Sequence, residues 1–234
     1  MKEIIVSVIT VTRNPGPEIL DTIKGIGDFI SDEVEYILVD GNSKPEILHT
    51  ITSNLPAGSK FLTEPDLGIY DAMNKAWIMA SGKFLLFINE GDQLLHLPLN
   101  TLRVSEADVL LGSVFLDGDC LFQGKNSKLL RFQNLWPHQG TFYKRTVPFR
   151  YNPSLKIFGD FDLNQHLFCL HLKIEQMRNA EPIARHQRGG ISGSRQGLDE
   201  FYRIIRTNFG LWAVIIAFLW FKLDGLKKKL YLYL

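Results

Sequence analysis

The apolar positions of the chain change their period as it runs, and the changes mark out its elements. Ile4 to Thr12 is nearly continuous in β-branched and apolar residues, the pattern of a strand covered on both faces. Pro15-Gly16-Pro17 breaks it, and the helical spacing of Ile19, Leu20, Ile23, Ile26 and Ile30 predicts a helix opened by Pro17. A second strand covers Glu35 to Asp40. Ser43 is then placed to cap, and Pro45 to open, a helix whose apolar face is Ile47, Leu48, Ile51 and Leu55. Lys60 to Thr63 is a short third strand. Ile69, Ala72, Met73, Ala76 and Ala80 share one helical face, and Phe84 to Ile88 forms a fourth strand. This alternation predicts an α/β fold, a mostly parallel sheet with helices on both faces.

Beyond Asp92 the alternation stops. Val109 to Phe115 and Cys120 to Gln123 read as a hairpin about Asp117-Gly118, an antiparallel addition to the sheet edge. Thr141 to Lys144 is a short strand after the Trp136 to Gly140 loop. Phe161, Leu163, Leu167 and Leu170 predict a helix over Asp160 to Leu172, and Gly189 to Ser194 is a loop of little side-chain bulk, expected to move. Phe209 to Phe221 is apolar all round and is followed by Lys222 and by Lys227, Lys228 and Lys229. A spanning helix needs about 20 apolar residues, so this run falls short of a span. With Arg203 and Arg206 beside it, the run is expected to lie in a membrane surface carrying negative lipids; packing on the core or on a second subunit, as in a homo-oligomer, is the alternative. The expected division is a compact domain over 1–196 and a helical, membrane-associating tail over 197–234.

Composition narrows the class. With 45% hydrophobic and 22% charged residues, the chain of 234 residues can bury a sizeable core, and disorder is excluded. A net charge of +1 gives no general pull towards nucleic acid, which is not expected as a partner. Cys120 and Cys169 lie in apolar contexts without CxxC spacing and are read as buried small hydrophobes in a reducing compartment. Ile4 to Val11 is short, carries Ser7 and Thr10, and has no small-residue cleavage site, so it reads as a strand and not as a signal peptide. The expected location is cytoplasmic, peripheral on the inner face of the cell membrane.

Candidate chemistry gathers at strand ends. Asp40 ends one strand, and Glu90 and Asp92 follow another; ligands of open α/β sheets collect outside such carboxyl ends. Carboxylates there suit a hard divalent cation, Mg²⁺ or Mn²⁺, which takes oxygen ligands and keeps waters and substrate phosphates. For Asp40, capping of the next helix is an equal alternative. No GxGxxG follows the first strand, and GxxxxGK[ST], HExxH and GxSxG are absent. His49, His96, His166, His171 and His186 lack ligand-like spacing and are read as structural or exposed; His138 stands apart within HQGTFYKR.

Taken together, SVITVTRN, ILVDGNS, EPDLGIYDAMNKAWIMASGKFLLFINEGD, HQGTFYKR, FGDFDL and the GGIS loop, within residues 4–194, resemble the family-2 glycosyltransferases of the GT-A fold, most closely the bacterial members that build cell-surface polysaccharides. The resemblance implies a Rossmann-like α/β/α sandwich with antiparallel additions. It implies that Thr10 and Asn14 lie in the loop around the nucleotide, that Asp40 contacts uracil or ribose, and that Asp71 helps hold the donor with Asn74 and Lys75 beside it. Asn89-Glu90-Gly91-Asp92 matches the metal-binding DxD-type motif: Asp92 binds the metal, and Glu90 is on the donor side where Gly91 replaces a first acid. Asp160 matches the general base with Asp162 in reserve, and His138 and Gln139 border the acceptor and donor sugar. A QxxRW-type segment is absent, which favours one sugar per acceptor over polymer synthesis. The implied reaction is inverting, metal-dependent transfer of a hexosyl or N-acetylhexosaminyl group from a nucleotide-sugar donor, a UDP-sugar, to a hydroxyl of a lipid-linked saccharide. Two other readings stand beside it. One is a sugar-phosphate nucleotidyltransferase, for which Thr12 to Gly16 is a poor version of the required loop; the other is a catalytically silent glycan-binding or scaffold protein recruited by the tail.

Overall fold

In a computed structural model, which describes residues 3–116, 119–170, 172–177, 180–186 and 195–224, the predicted alternation holds through the first part of the chain. It comprises β1 (Val6–Thr12), α1 (Glu18–Gly27), β2 (Val34–Asp40), α2 (Pro45–Asn54), β3 (Lys60–Thr63), α3 (Ile69–Met79) and β4 (Phe84–Phe87). There follow β5 (Gln93–Leu94), α4 (Leu99–Val104), β6 (Val109–Leu111), β7 (Ser113–Leu116), β8 (Cys120–Gln123), β9 (Thr141–Lys144), α5 (Gly159–Cys169), β10 (Ile174–Gln176), β11 (Ala184–Arg185), α6 (Arg195–Phe209) and α7 (Leu211–Asp224).

The central sheet runs β10-β6-β9-β4-β1-β2-β3. Its β4-β1-β2-β3 block is parallel, with Thr12 opposite Asp40, so the carboxyl ends of these strands share one edge. β9 runs antiparallel between β4 and β6. Every residue of β1 is buried, as its nearly continuous β-branched and apolar run requires. Among its buried residues α1 sets Ile19, Ile23 and Ile26 inward, and α3 sets Ala72, Met73, Ala76 and Trp77. Trp77 is buried against Phe87 and Tyr143, and its indole N–H donates to the Arg145 carbonyl at 3.0 Å, which satisfies the one polar atom that burial would otherwise strand.

The later chain departs from expectation in identifiable ways. The expected Val109 to Phe115 strand is broken at Gly112: β6 stays in the central sheet, while β7 enters a second sheet ordered β5-β11-β7-β8. A Cβ on Gly112 would lie 2.7 Å from Ile183 Cγ1, so the chain changes sheets where it has no side chain. β7 and β8 pair antiparallel as expected, but in that second sheet and not on the edge of the first. Their turn at Asp117-Gly118, the Gly189 to Ser194 loop and Lys227 to Lys229 lie outside the described residues. Both cysteines are exposed, correcting the expectation of burial: Cys120 begins the edge strand β8 and Cys169 ends α5. Ser43 does not cap α2, whose preceding residue is Lys44; its hydroxyl serves Asp40 instead.

The packing of α6 on α5 crosses the expected division after residue 196. Phe201 stacks on Phe161 at 4.9 Å, and the buried Glu200 carboxylate accepts from the N–H groups of Lys156, Ile157 and Phe158 at 2.9, 2.8 and 2.7 Å. α7 buries Ala213 and Ala217, half-buries Val214 and Phe221, and leaves Trp212, Ile216 and Leu219 exposed. Among the described residues no helix is long and apolar enough to cross a membrane.

Candidate active site

At the carboxyl edge of the parallel block lies an open cleft of about 290 Å³, bordered by Thr12, Arg13, Asp66, Ile69, Asn89 and Glu90. Its floor is two loops tied together. Asp40 is fully buried; its Oδ2 accepts from Ser43 N–H at 2.8 Å and from Thr63 Oγ1 at 2.9 Å, and its Oδ1 from the Ser43 hydroxyl. The Ser43 hydroxyl oxygen accepts from Asn14 N–H at 2.6 Å, and Asn14 Oδ1 accepts from Lys44 N–H at 3.0 Å. Asn14 and Asn42 hold the left-handed backbone (φ 48° and 64°) that asparagine tolerates better than most residues. Asp40 therefore shapes the loop that borders the cleft, close to its capping alternative. Thr10 is also buried and donates to the Ile88 carbonyl at 2.7 Å, so its hydroxyl ties β1 to β4; Thr12 and Arg13 are the β1 residues at the cleft.

The residues of α3 act on neighbouring chain. Asp71 Oδ2 accepts from Leu67 N–H at 3.0 Å and lies 3.4 Å from Lys75 Nζ, which also donates to the Pro65 carbonyl at 2.7 Å and pairs with Glu64 at 3.0 Å. Burial alone would lower the Lys75 pKa, but the Glu64 hydrogen bond and the charges of Asp71 and Glu64 outweigh it and raise it. Asn74 clamps Tyr151, donating to its carbonyl at 2.8 Å and accepting from its N–H at 3.0 Å. Of this stretch it is Asp66, with Oδ1 accepting from Gly68 N–H at 3.0 Å, that reaches the cleft.

After β4 the chain turns sharply over Asn89 to Asp92, with Gly91 at φ 82° and Asp92 N–H donating to the Asn89 carbonyl at 3.0 Å. Glu90 reaches back to the first loop, accepting from Gly16 N–H at 2.6 Å and from Thr12 Oγ1 at 3.1 Å. Asp92 is buried; its Oδ2 accepts from Gln139 Nε2 at 3.0 Å, and its Oδ1 lies 2.9 Å from His186 Nδ1. The imidazole Nδ1 is also 2.8 Å from Gln139 Nε2; a carboxylate and an imidazole nitrogen are donor types that a divalent cation would accept in place of their mutual hydrogen bond. Asn89, at the cleft wall, keeps its Oδ1 buried without a hydrogen-bond partner, as a ligand-facing group would. Among the described residues no three His, Cys, Asp or Glu side chains cluster as a metal site. A cation at Asp92 and His186 would complete its shell with water and substrate phosphate. Asp40 shares the sheet edge but, with its oxygens engaged, does not join that pair.

The second acid sits at the start of α5. Gly159 packs where a Cβ would lie 2.6 Å from the Tyr70 ring, and the Tyr70 hydroxyl donates to the Ile157 carbonyl at 2.6 Å, fixing the entry to the helix. Asp160, nearly buried, accepts from Asn134 Nδ2 at 2.6 Å through Oδ2. Asn134 Oδ1 accepts from Asn164 Nδ2 at 3.2 Å, and Asn164 Oδ1 from the Tyr143 hydroxyl at 2.8 Å. Burial first, and then the charge of Asp160, push the Tyr143 and Tyr70 phenols well above their usual range, so both remain donors. His138 lies between Asp160 and the turn after β4: its Nδ1 is 3.7 Å from Asp160 Oδ2 and its Nε2 is 3.0 Å from Asn89 Nδ2. Asp162, the reserve candidate, accepts from Asn208 Nδ2 of α6 at 3.0 Å through Oδ1.

Sequence reasoning missed His186, Arg13 and the Asn134–Asn164 pair. His186 is far from Asp92 and Gln139 in sequence and carries no spacing signal; Arg13 had one signal, its position directly after an apolar strand.

A parallel block with a cleft at its carboxyl edge, an acid-bearing turn after β4 and a second acid on the helix beyond an antiparallel strand define the GT-A type of fold. The family model "Glycosyl transferase family 2" matches residues 7–157, more than half of the chain, and the chain belongs to that family. It is 27% identical over 219 residues to the PGL/p-HBAD biosynthesis glycosyltransferase of Mycobacterium bovis (strain BCG / Pasteur 1173P2), covering 86% of this chain and 83% of that one. In structure it resembles Staphylococcus aureus TarS 1-349 in complex with UDP-GlcNAc, with a TM-score of 0.70 and 19% identity over 97% of this chain and 77% of that one. It also resembles glucosyl-3-phosphoglycerate synthase from Mycobacterium tuberculosis in complex with Mg²⁺ and UDP, with a TM-score of 0.63 and 15% identity over 88% and 80%. These likenesses establish the shared fold. As a family-2 glycosyltransferase the protein is not the nucleotidyltransferase that its first loop left open.

Proposed function

We propose that the protein moves one hexosyl or N-acetylhexosaminyl group from a UDP-sugar to a hydroxyl of a lipid-linked saccharide, with inversion, at the cytoplasmic face of the cell membrane, in the assembly of O-antigen, capsule or exopolysaccharide. The observation that carries this reading is the placement of Asp160 and the Asp92–His186 pair on either side of the adjacent residues His138 and Gln139. Asp92 and His186 would hold a Mg²⁺ or Mn²⁺ ion. When bound, such an ion offsets the charge that develops on the leaving diphosphate. Arg13 and Asp66 border the nucleotide side of the cleft, and Asp40, Asn14, Asp71, Asn74, Lys75 and Glu90 support the donor by holding the loops in place.

Asp160 acts on the acceptor. Asn134 fixes its Oδ2, while Oδ1 has no hydrogen bond among the described residues and is the oxygen that takes the hydroxyl proton. The acceptor oxygen forms a bond to the anomeric carbon as the bond from that carbon to the diphosphate breaks. Attack from the face opposite the leaving group inverts the configuration. The fold neighbours solved with UDP-GlcNAc and with Mg²⁺ and UDP support the choice of donor and ion. The test is transfer from UDP-glucose, UDP-galactose and UDP-GlcNAc to a lipid-linked saccharide, with Mn²⁺ or with EDTA, and the product anomer read by NMR. Transfer that needs the ion and inverts the anomer is expected; a retained anomer, or undiminished transfer in EDTA, overturns the reading.

A further inference from the structure

The outer side of α7 takes no part in the site. From Leu211 to Phe221 it carries no polar residue, and Trp212 is 80%, Leu219 51% and Ile216 49% exposed. Its inner side, Ala213 and Ala217, packs inward, and Phe221 meets Phe201 at 5.7 Å. A helix of this length reaches about 21 Å, less than the roughly 30 Å of a hydrocarbon core, so its apolar side can lie in a bilayer surface but not cross it.

Beside the root of α7 stands a cluster of cations. Arg131 lies over the Phe209 ring at 5.5 Å, one residue before the Gly210 turn that joins α6 to α7. Arg131 and Lys128 border a cavity of about 300 Å³ together with Phe168, Leu172 and Ile174. Lys125, Lys128, Arg131 and Arg206 are exposed, and none pairs with a carboxylate among the described residues. At the far end Lys222 lies over the Phe218 ring at 5.0 Å. The apolar stretch is thus bordered by cations at both ends.

We propose that α7 and the basic edge formed by Lys125, Lys128 and Arg131 are one face, which docks on a bilayer containing anionic lipid with α7 lying in the interface plane. The charge selects this occupant over a second copy of the chain. A two-fold contact through α7 would place each copy's cations near its partner's, whereas lipid phosphates neutralise them. α6, which carries α7, also holds the segment before Asp160 through Glu200, so the docked face and the acid facing the acceptor belong to one packed unit. The proposal does not depend on which sugar is transferred.

Co-sedimentation of the full chain with vesicles tests it, using phosphatidylcholine alone and equal parts of phosphatidylcholine and phosphatidylglycerol. Binding to the mixed vesicles is expected to exceed binding to the neutral ones by about tenfold or more. Lys125→Gln with Lys128→Gln should lower binding to the mixed vesicles by roughly 25-fold, at about fivefold for each charge removed, and leave binding to neutral vesicles unchanged. Trp212→Ser with Ile216→Ser, both at exposed positions, should lower binding to mixed and neutral vesicles alike. Equal binding to the two compositions overturns the proposal. So does a dimer in sedimentation velocity that Trp212→Ser with Ile216→Ser dissociates while vesicle binding is unaltered.

Discussion

Two enclosed acids, Glu35 and Asp160, differ in how many of their oxygens are engaged, and the difference separates a structural carboxylate from one with an oxygen to spare. Glu35, at the amino end of β2, has both oxygens engaged: Ser7 Oγ donates at 2.6 Å, Ser81 N–H and Oγ at 2.7 Å each, and the Lys60 ammonium lies at 2.8 Å. Burial would raise its pKa, but these donors outweigh it and bring the carboxyl down to about 2. Asp160, at the start of α5, is at least as enclosed yet is held by Asn134 on one oxygen alone. A carboxylate with every lone pair answered can only hold structure together. One with an oxygen left over, in a wall shared with His138 and Asn89, can take a proton.

Substitutions should separate the two kinds of site. A large effect is expected from Asp92→Asn: a loss of transfer on the order of a hundredfold or more, because Lewis-acid stabilisation amounts to several kcal/mol, together with loss of the Mn²⁺-dependent thermal shift produced by UDP-sugars. His186→Gln should act in the same direction but less, at roughly tenfold, with rescue by raised Mn²⁺; a variant indifferent to Mn²⁺ concentration would remove His186 from the ion.

Glu35→Gln should leave transfer unchanged and lower stability at pH 7 by about 1–2 kcal/mol, after allowing for solvent screening at this partly buried site. Because the folded pKa lies below the ordinary 4.5, the stabilisation is complete above about pH 4.5 and disappears as pH falls through about 2. Urea melts of both chains across that range should therefore converge on acidification, and a gap that persists at the acid end would contradict the assignment. The smallest effect is expected for Asn74→Ala, which removes the two bonds to Tyr151 at a cost of about 1–2 kcal/mol, with KM for the donor moving no more than a few-fold. A large rise in KM alone would instead put Asn74 in direct contact with the donor.

The half of the fold that reads clearly in sequence is the half whose strands are covered on both faces. There a nearly continuous β-branched and apolar run such as Val6–Thr12 has one interpretation, and Pro15 and Gly16 close it. The second half is built from pieces too short to carry a period: β5 and β11 have two residues each, and the break at Gly112 is invisible until Ile183 is seen against it. The same limit applies to the site. Asp92 and Asp160 are legible because each closes or opens an element. The Asn134–Asn164–Tyr143 chain and His186 come together through tertiary packing of loops, and local sequence does not encode that meeting. The side chains of Asp40 and Glu90 hold loops in place, and that of Thr10, inside β1 and not in the expected loop, ties β1 to β4. Motif position identified the neighbourhood, and only the hydrogen bonds distinguished supports from open groups.

The division of labour between the two ends of the site rests on Asp160, so one variant tests it most directly. Asp160→Asn keeps the size of the side chain and its contact with Asn134 while removing the base. Binding of UDP with Mn²⁺ by calorimetry, measured beside the rate of transfer, should show an affinity within about twofold of the unaltered chain and a rate lower by about 10²–10⁴-fold. Undiminished transfer, or loss of UDP binding together with transfer, would contradict the assignment of Asp160 as the base.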